Sequence, residues 1–198
     1  GGGRHKEKWQ DLRKDMCEKL NDKKSDRTLE ILDSALYSNA DVIFLQEVAR
    51  AFVDSMRESE LGDKFEVVAT DAERDQNSVI LLNKRSFDIS SIKDLTTEFE
   101  KVKPKGVANG DLITIAVQGT LGKFLLASFH GDTNGQQTIP VLDAMHQLAM
   151  SPEFASNQLL FGLDANTYGV KKDEYQYVLE FADAYVNHGY TSCWGDQP

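Results

Sequence analysis

Polar residues that can bind a metal ion or a phosphate follow three apolar segments of the sequence. They are Gln46-Glu47 after Val42–Leu45, His130 after Phe124–Phe129, and Asp164 with Asn166 after Gln158–Leu163. The oxygen ligands among them suit Mg²⁺, which takes one or two carboxylates and keeps several waters. Imidazole and carboxylate groups also serve as general acids and bases. The pattern therefore predicts a site for a hydrated Mg²⁺ ion where these segments end.

Each of these residues also has a purely structural interpretation. A Glu after a strand is most often a solvated or capping residue, and an Asp-x-Asn sequence most often forms an Asx-turn. A histidine at a strand end serves equally well as a hydrogen-bonded structural residue. A site is favoured because all three segments place polar groups directly after an apolar strand. A rigid sheet edge of this kind can direct several side chains to one point.

The remaining apolar pattern predicts helices that alternate with strands. Helices are expected at Glu7–Leu20, Arg27–Tyr37, Ala51–Ser59, Ile139–Met150 and Lys172–Val186; further strands are expected at Phe65–Ala69, Val79–Leu82 and Leu112–Val117. The segment Gly119–Gly122 has the composition of a hairpin turn between the strands Leu112–Val117 and Phe124–Phe129. This mixture of helices, strands and hairpins indicates an α/β or α+β protein with sheets between helices.

The charge balance limits the classes of function. The 198 residues include 32 Asp and Glu against 22 Lys and Arg, a formal net charge of −10. A protein that holds nucleic acid mainly through phosphate contacts is expected to have a basic surface. The acidic balance therefore argues against a high-affinity, non-catalytic nucleic-acid binder. It argues less against an enzyme, because a bound divalent cation supplies local positive charge.

Cysteine content and hydropathy indicate the compartment. Cys17 and Cys193 are far apart and neither belongs to a CxxC motif, so they form neither a disulfide framework nor a structural zinc site. The apolar runs are shorter than the about 18 residues of a transmembrane helix, and the first residues lack the apolar core of a signal peptide. These features favour an intracellular protein with two reduced thiols. A secreted enzyme with one disulfide remains the alternative.

Four segments resemble successive motifs of the endonuclease/exonuclease/phosphatase superfamily. They are DVIFLQEV (residues 41–48), NSVILLNKRSF (77–87), FLLASFHGD (124–132) and LLFGLDANTY (159–168). They occur in the order of the family, and the resemblance covers about residues 7–190. One departure is the spacing Gly162-Leu163-Asp164, where the family has Gly and Asp adjacent. The resemblance implies an α+β sandwich of two stacked mixed β-sheets flanked by helices, in four layers, with Leu45, Phe129 and Phe161 between the sheets.

The resemblance also implies a role for each candidate residue. Glu47 is expected to bind Mg²⁺, with Gln46 as its neighbour, and His130 to contact the scissile phosphate or protonate the leaving oxygen. Asp164 is expected to orient or deprotonate the attacking water, and Asn166 to hold the phosphate in the transition state. Hydrolysis of a phosphodiester needs these contributions, since charge on the phosphate oxygens and on the leaving group must be stabilised. The implied activity is that of a Mg²⁺-dependent phosphodiesterase, most simply a nuclease.

Two family motifs have no counterpart in the sequence. The family opens with a strand that carries a metal-binding Asn and closes with an Asp-His pair. His188 follows a predicted helix instead, so a structural role is expected for it. The expectation is a single domain over residues 1–198 that is incomplete at both ends and by itself hydrolyses a phosphodiester very slowly or not at all. The rival hypotheses are a phosphoinositide or other phosphoester phosphatase of the same fold, and a non-catalytic binding or scaffold domain.

Overall fold

The computed structural model describes residues 24–70, 73–100 and 104–193, together with Trp9, Leu12, Asp15 and Met16. These four residues are helical and exposed, and the rest of the predicted helix Glu7–Leu20 lies outside the described residues. Residues 24–32 are helical, as part of a helix labelled α1, and are followed by turns up to residue 39, so the helix ends before the predicted Tyr37. Ser34 explains the early end, because its Oγ donates to Ile31 O over 2.6 Å and competes with helical hydrogen bonding.

Strands and helices alternate through the rest of the described chain. The strands are β1 (Val42–Val48), β2 (Phe65–Ala69), β3 (Asn77–Asn83), β4 (Phe87–Asp94), β5 (Leu112–Gly119), β6 (Gly122–His130) and β7 (Gln158–Asp164). The helices are α2 (Arg50–Glu58), α3 (Glu60–Lys64), α4 (Thr96–Glu100), α5 (Thr138–Ala149) and α6 (Val178–Asn187). Among these helices none is long and apolar enough to cross a membrane. The predicted hairpin is confirmed, since β5 and β6 pair antiparallel up to Gly119 and Gly122.

The strands form two sheets that differ in their pairing. A three-stranded sheet has the order β1-β3-β2, and a four-stranded sheet has the order β4-β5-β6-β7. The first sheet is antiparallel throughout, whereas β6 and β7 pair parallel in the second, so only the larger sheet is mixed. Strand β4 was not predicted from the sequence. Its pairing shifts between Asp88 and Lys93, and this irregularity interrupts the alternation that marks a strand.

The two sheets stack face to face with helices on both outer sides, which confirms the α+β sandwich. Apolar residues of both sheets fill the space between them: Ile80, Leu82, Ile113, Ile115, Val117 and Leu126 with Val42 and Phe44. Helices α2 and α3 cover the outer face of the smaller sheet through Val53, Met56 and Leu61. Helix α5 covers the outer face of the larger sheet through Val141 and Met145. The order of layers is therefore helix, sheet, sheet, helix.

Three residues predicted between the sheets lie on the outer faces instead. Leu45 packs in the cluster under α2 and α3, and Phe129 and Phe161 pack in the cluster under α5. The reason is the period of two along a strand. Phe44 points into the space between the sheets, so Leu45 points away from it. The prediction was wrong because these strands are apolar on both faces, and apolarity alone does not identify the inner face.

The last predicted helix starts later than expected. Lys172–Val186 was predicted, but α6 covers Val178–Asn187. The preceding residues form a loop with isolated bridges, Tyr168 to Tyr177 and Lys172 to Tyr175. Tyr168 Oη donates to Thr133 O over 2.7 Å, so this loop is bound to the loop that follows β6. Tertiary hydrogen bonds therefore replace the helical ones at the start of the segment.

Candidate active site

Glu47 lies on an irregularity of strand β1. Leu45 pairs with Val79 and Val48 pairs with Asn77, so β1 contains one residue more than β3 over this stretch. Glu47 has a φ of 57°, in the left-handed region that a non-glycine residue rarely adopts. Asn77 is buried, and its Nδ2 donates to Val48 O over 3.1 Å, which fixes the strand after the irregularity. The Glu47 side chain is 59% exposed at the end of the sandwich.

His130 and Asp164 end the parallel strands β6 and β7 in the same register. Their Cα atoms are paired, so both side chains leave the sheet at the same level and on the same face. His130 N donates to Asp111 O, and Gly131 N donates to Asp164 O, both over 2.9 Å. The His130 Nε2 atom lies 3.6 Å from Glu47 Oε1, and its side chain is only 14% exposed. Each sheet thus supplies one partner of this carboxylate–imidazole contact.

Asn166 joins His130 and Asp164 into one group. Its backbone has a φ of 46°, a conformation that Asn tolerates better than most residues. Asn166 N donates to Asp164 Oδ1 over 3.0 Å, and its Nδ2 donates to Gly131 O over 2.7 Å. The same Nδ2 lies 3.5 Å from His130 Nε2. The segment therefore forms an Asx-turn and also directs the Asn166 amide toward the imidazole. The four predicted site residues lie together, while their individual roles remain predictions.

Gln46 points away from the cluster and into the space between the sheets. Its Nε2 donates to Ser128 Oγ over 3.0 Å and lies 3.5 Å from Gly162 O. A Cβ atom on Gly162 would lie 2.2 Å from Phe44 Cγ, so only glycine allows the sheets to approach this closely here. This contact gives a physical reason for glycine at position 162, two residues before Asp164.

Several supporting residues were not identified from the sequence. Arg74 Nη1 lies 2.9 Å from Asp111 Oδ1 and donates to Asn109 O. Ser78 Oγ donates over 2.6 Å to Asp111 O, which also accepts the His130 N–H. The Arg74–Asp111 pair therefore fixes the main chain behind His130. Its two members are separated by 37 positions and lie in loops, so nothing in the local pattern pointed to it.

The available ligands suit a hydrated Mg²⁺ ion better than a metal ion enclosed by protein side chains. Among the residues that the structure describes, no three His, Cys, Asp or Glu side chains are grouped to hold a metal. Mg²⁺ in phosphate-processing sites is bound by one or two carboxylates, with water and substrate phosphate as the other ligands. The exposed Glu47 carboxylate fits this mode as a single protein ligand.

Another histidine cluster lies between α5 and α6. His188 Nε2 lies 2.7 Å from Asp143 Oδ1, and the rings of His188 and His146 stack at 4.1 Å. His146 Nδ1 lies 2.8 Å from Tyr190 Oη. Burial is the main cause that lowers the pKa of His146, followed by the neighbouring His188, while Asp143 opposes the shift. These contacts agree with the structural role expected for His188.

Known structures share this fold. No protein-family model and no curated protein sequence matches the chain. Similar solved structures include D. rerio TDP2 complexed with a single-strand DNA product, at 18% identity and a TM-score of 0.53, covering 85% of this chain and 58% of that one. An endonuclease/exonuclease/phosphatase family protein from Bacteroides thetaiotaomicron is 15% identical with a TM-score of 0.55, covering 82% and 59%. The human Nocturnin catalytic domain with bound sulfate is 14% identical with a TM-score of 0.53, covering 73% and 58%.

The described architecture is therefore the endonuclease/exonuclease/phosphatase fold, and the resemblance read from the four motifs is confirmed at the level of the fold. The chain spans less than three fifths of the length of these three structures. Identities below one fifth define the fold alone, because unrelated activities recur on one fold.

Proposed function

We propose that this protein hydrolyses phosphodiester bonds with the help of Mg²⁺ and that its substrate is a nucleic acid. The observation that carries the proposal is the continuous group formed by Glu47, His130, Asn166 and Asp164 at one end of the two sheets. The fold adds support, since one similar structure holds a single-strand DNA product and another holds a sulfate anion. Sulfate has the shape and charge of a phosphate group.

In this proposal the protein residues bind the metal ion and the phosphate, orient the attacking water and transfer protons. Glu47 would hold the Mg²⁺ ion, which neutralises charge on the phosphate oxygens when it is bound. Asp164 uses Oδ1 to accept the Asn166 N–H, and its other carboxylate oxygen is assigned to the attacking water. One N–H of the Asn166 amide donates to Gly131 O, and the other would donate to a phosphate oxygen, which stabilises the charge that develops there. His130, held between Glu47 and Asn166, donates a proton to the leaving oxygen.

A direct test measures hydrolysis by the protein expressed from its whole gene. Substrates are bis-p-nitrophenyl phosphate, single-stranded DNA, duplex DNA, RNA and a phosphoinositide, each with Mg²⁺ and with EDTA. We expect cleavage of a nucleic acid that EDTA abolishes. Asp164→Asn and His130→Ala should each remove most turnover, whereas Asp183→Asn, an exposed carboxylate on α6, should not.

Each contrary outcome has a distinct meaning. Turnover that resists EDTA would contradict the role of the metal. Hydrolysis of the phosphoinositide without cleavage of nucleic acid would assign the site to the rival phosphatase activity. Binding of a nucleic acid without hydrolysis, in a protein with an intact fold, would favour the binding-domain hypothesis.

A further inference from the structure

We infer that Gln46 and Ser128 are positioning residues, whose hydrogen bonds set the sheet separation that brings Glu47 and His130 together. This inference rests on the proposed function, because it assigns two more residues to the same site. Neither residue is assigned a contact with the substrate in that proposal. Both would act through their neighbours in the strands.

The hydrogen bonds connect the two sheets directly. Gln46 Nε2 donates to Ser128 Oγ over 3.0 Å, and Ser128 Oγ donates in turn to Leu45 O over 3.1 Å. One serine hydroxyl of β6 therefore binds both the side chain and the main chain of β1. Ser128 is fully buried, so water does not compete for these bonds.

The pair lies next to the site on both strands. Gln46 directly precedes Glu47 in β1. Ser128 precedes His130 by two residues in β6, so both side chains leave the sheet on the same face. The carbonyl that Ser128 binds belongs to Leu45, the last residue before the irregularity that carries Glu47. Each residue of the polar pair thus fixes the strand segment that holds one member of the Glu47–His130 contact.

The surroundings indicate why a polar pair would be retained here. The space between the sheets next to this pair is filled by apolar residues such as Phe44, Ile80 and Leu126. Apolar packing of similar volume usually stabilises a core as well as a buried polar pair does. Hydrogen bonds differ because they depend on distance and angle, so they define relative position. We therefore attribute Ser128 and Gln46 to a requirement for the relative position of the two sheets. A requirement for stability would be met as well by apolar residues.

The test replaces each partner by an apolar residue of similar shape, Ser128→Ala and Gln46→Met, and combines the two. For each variant we expect kcat to fall about tenfold or more while KM stays within about twofold, as for residues that orient metal ligands. The double variant should lose no more than Ser128→Ala alone, because that substitution already removes the hydrogen bond between Gln46 and Ser128. Thr114→Val serves as control, since Thr114 is a fully buried hydroxyl of the same sheet whose Oγ1 lies 3.6 Å from Met145 Sδ.

A second measurement separates this inference from the proposed function. Crystal structures of the wild type and of Ser128→Ala report the distance from Glu47 Oε1 to His130 Nε2 whether or not the protein turns over a substrate. We expect the distance to increase in the variant. An unchanged distance, or a loss of thermal stability with unchanged kcat, would show that Gln46 and Ser128 only stabilise the core. Absence of hydrolysis in the wild type, with an increased distance in the variant, would refute the activity and retain the positioning.

Discussion

Two carboxylate–imidazole pairs in this molecule differ in ways that follow from their surroundings. In the candidate site Glu47 and His130 are 3.6 Å apart, and the Glu47 side chain is 59% exposed. Between α5 and α6 the Asp143–His188 pair is 2.7 Å apart. The second pair is also supported by the stacked ring of His146. The helix pair is therefore shorter and has a second imidazole stacked on its histidine, whereas the pair in the site is longer and its carboxylate is the more exposed, 59% for Glu47 against 47% for Asp143.

Backbone conformation shows the same difference. Glu47 and Asn166 are the described non-glycine residues with positive φ, and both belong to the candidate site. Asp143 lies within the regular helix α5. Unfavourable backbone conformations persist where the surrounding structure imposes them, and they are concentrated at functional sites. The comparison therefore indicates that presenting Glu47 at the site costs stability through its backbone conformation. The Asp143–His188 pair has no such cost and stabilises the contact between α5 and α6.

The largest expected difference is in catalysis. Glu47→Gln should lower turnover of the proposed substrate by about two to three orders of magnitude, as when a group that stabilises transition-state charge is removed. Asp143→Asn should leave turnover unchanged and lower the melting temperature. Steady-state kinetics and thermal unfolding of both variants measure this directly. Equal losses of activity in the two variants would abolish the distinction between the pairs.

The next largest effect concerns the sheet contact beside the site. Gly162→Ala places a Cβ atom 2.2 Å from Phe44 Cγ and should destabilise the protein by about 1–3 kcal/mol, as overpacked cores do. Gly169→Ala is the matched control, because among the described residues no atom other than those of its chain neighbours lies within 4 Å of its added Cβ. Urea unfolding should detect a loss only for the first variant. If Gly162→Ala is as stable as the wild type, the close approach of the sheets does not depend on glycine.

A smaller effect is expected at the helix pair. His188→Gln should lower the free energy of unfolding by about 1 kcal/mol, since His188 and Asp143 are partly exposed and such pairs contribute little. Lys171→Gln removes the more exposed ion pair with Glu180 and should change stability by less. Chemical denaturation of both variants compares them. A larger loss for Lys171→Gln would contradict the ranking by burial.

The smallest effect is a pH dependence of stability at the same cluster. The pKa of His146 is lowered from 6.5 in the folded protein, so the unfolded chain binds more protons below that pH. Stability from the neutral imidazole is complete above about pH 6.5 and is lost as the pH falls through this value toward the lowered pKa. The groups that face His146 are Asp143 on its own helix and His188 and Tyr190 after α6.

Urea unfolding of the wild type and of His146→Gln at a series of pH values tests this dependence. Glutamine can keep a hydrogen bond to Tyr190 and does not titrate in this range. We expect the wild type to lose more stability than the variant between about pH 7 and pH 5. Parallel curves for the two proteins would show that His146 does not contribute to the pH dependence.

The sequence predicted which candidate site residues lie together better than it predicted the residues that hold them in place. Glu47, His130 and Asp164 were identifiable because each follows an apolar run, and strand ends meet at the edge of a sandwich. Leu45 and Phe129 were misplaced because their strands are apolar on both faces, so a period of two cannot reveal which face meets the other sheet. The roles of Ser128 and Gly162 depend on that same sheet contact. They became visible only when the stacking of the two sheets was known.

The left-handed backbone at Glu47 has a consequence for molecular evolution. A residue with a side chain costs about 1–2 kcal/mol in this conformation, whereas glycine adopts it freely. In a lineage released from selection for activity, replacement of Glu47 by glycine would therefore meet no resistance from folding. The exchange would spread by drift without a compensating change elsewhere. A return from glycine to glutamate would again carry the free-energy cost of the left-handed backbone. Loss of Glu47 should therefore be more frequent than its recovery among descendants that keep this fold.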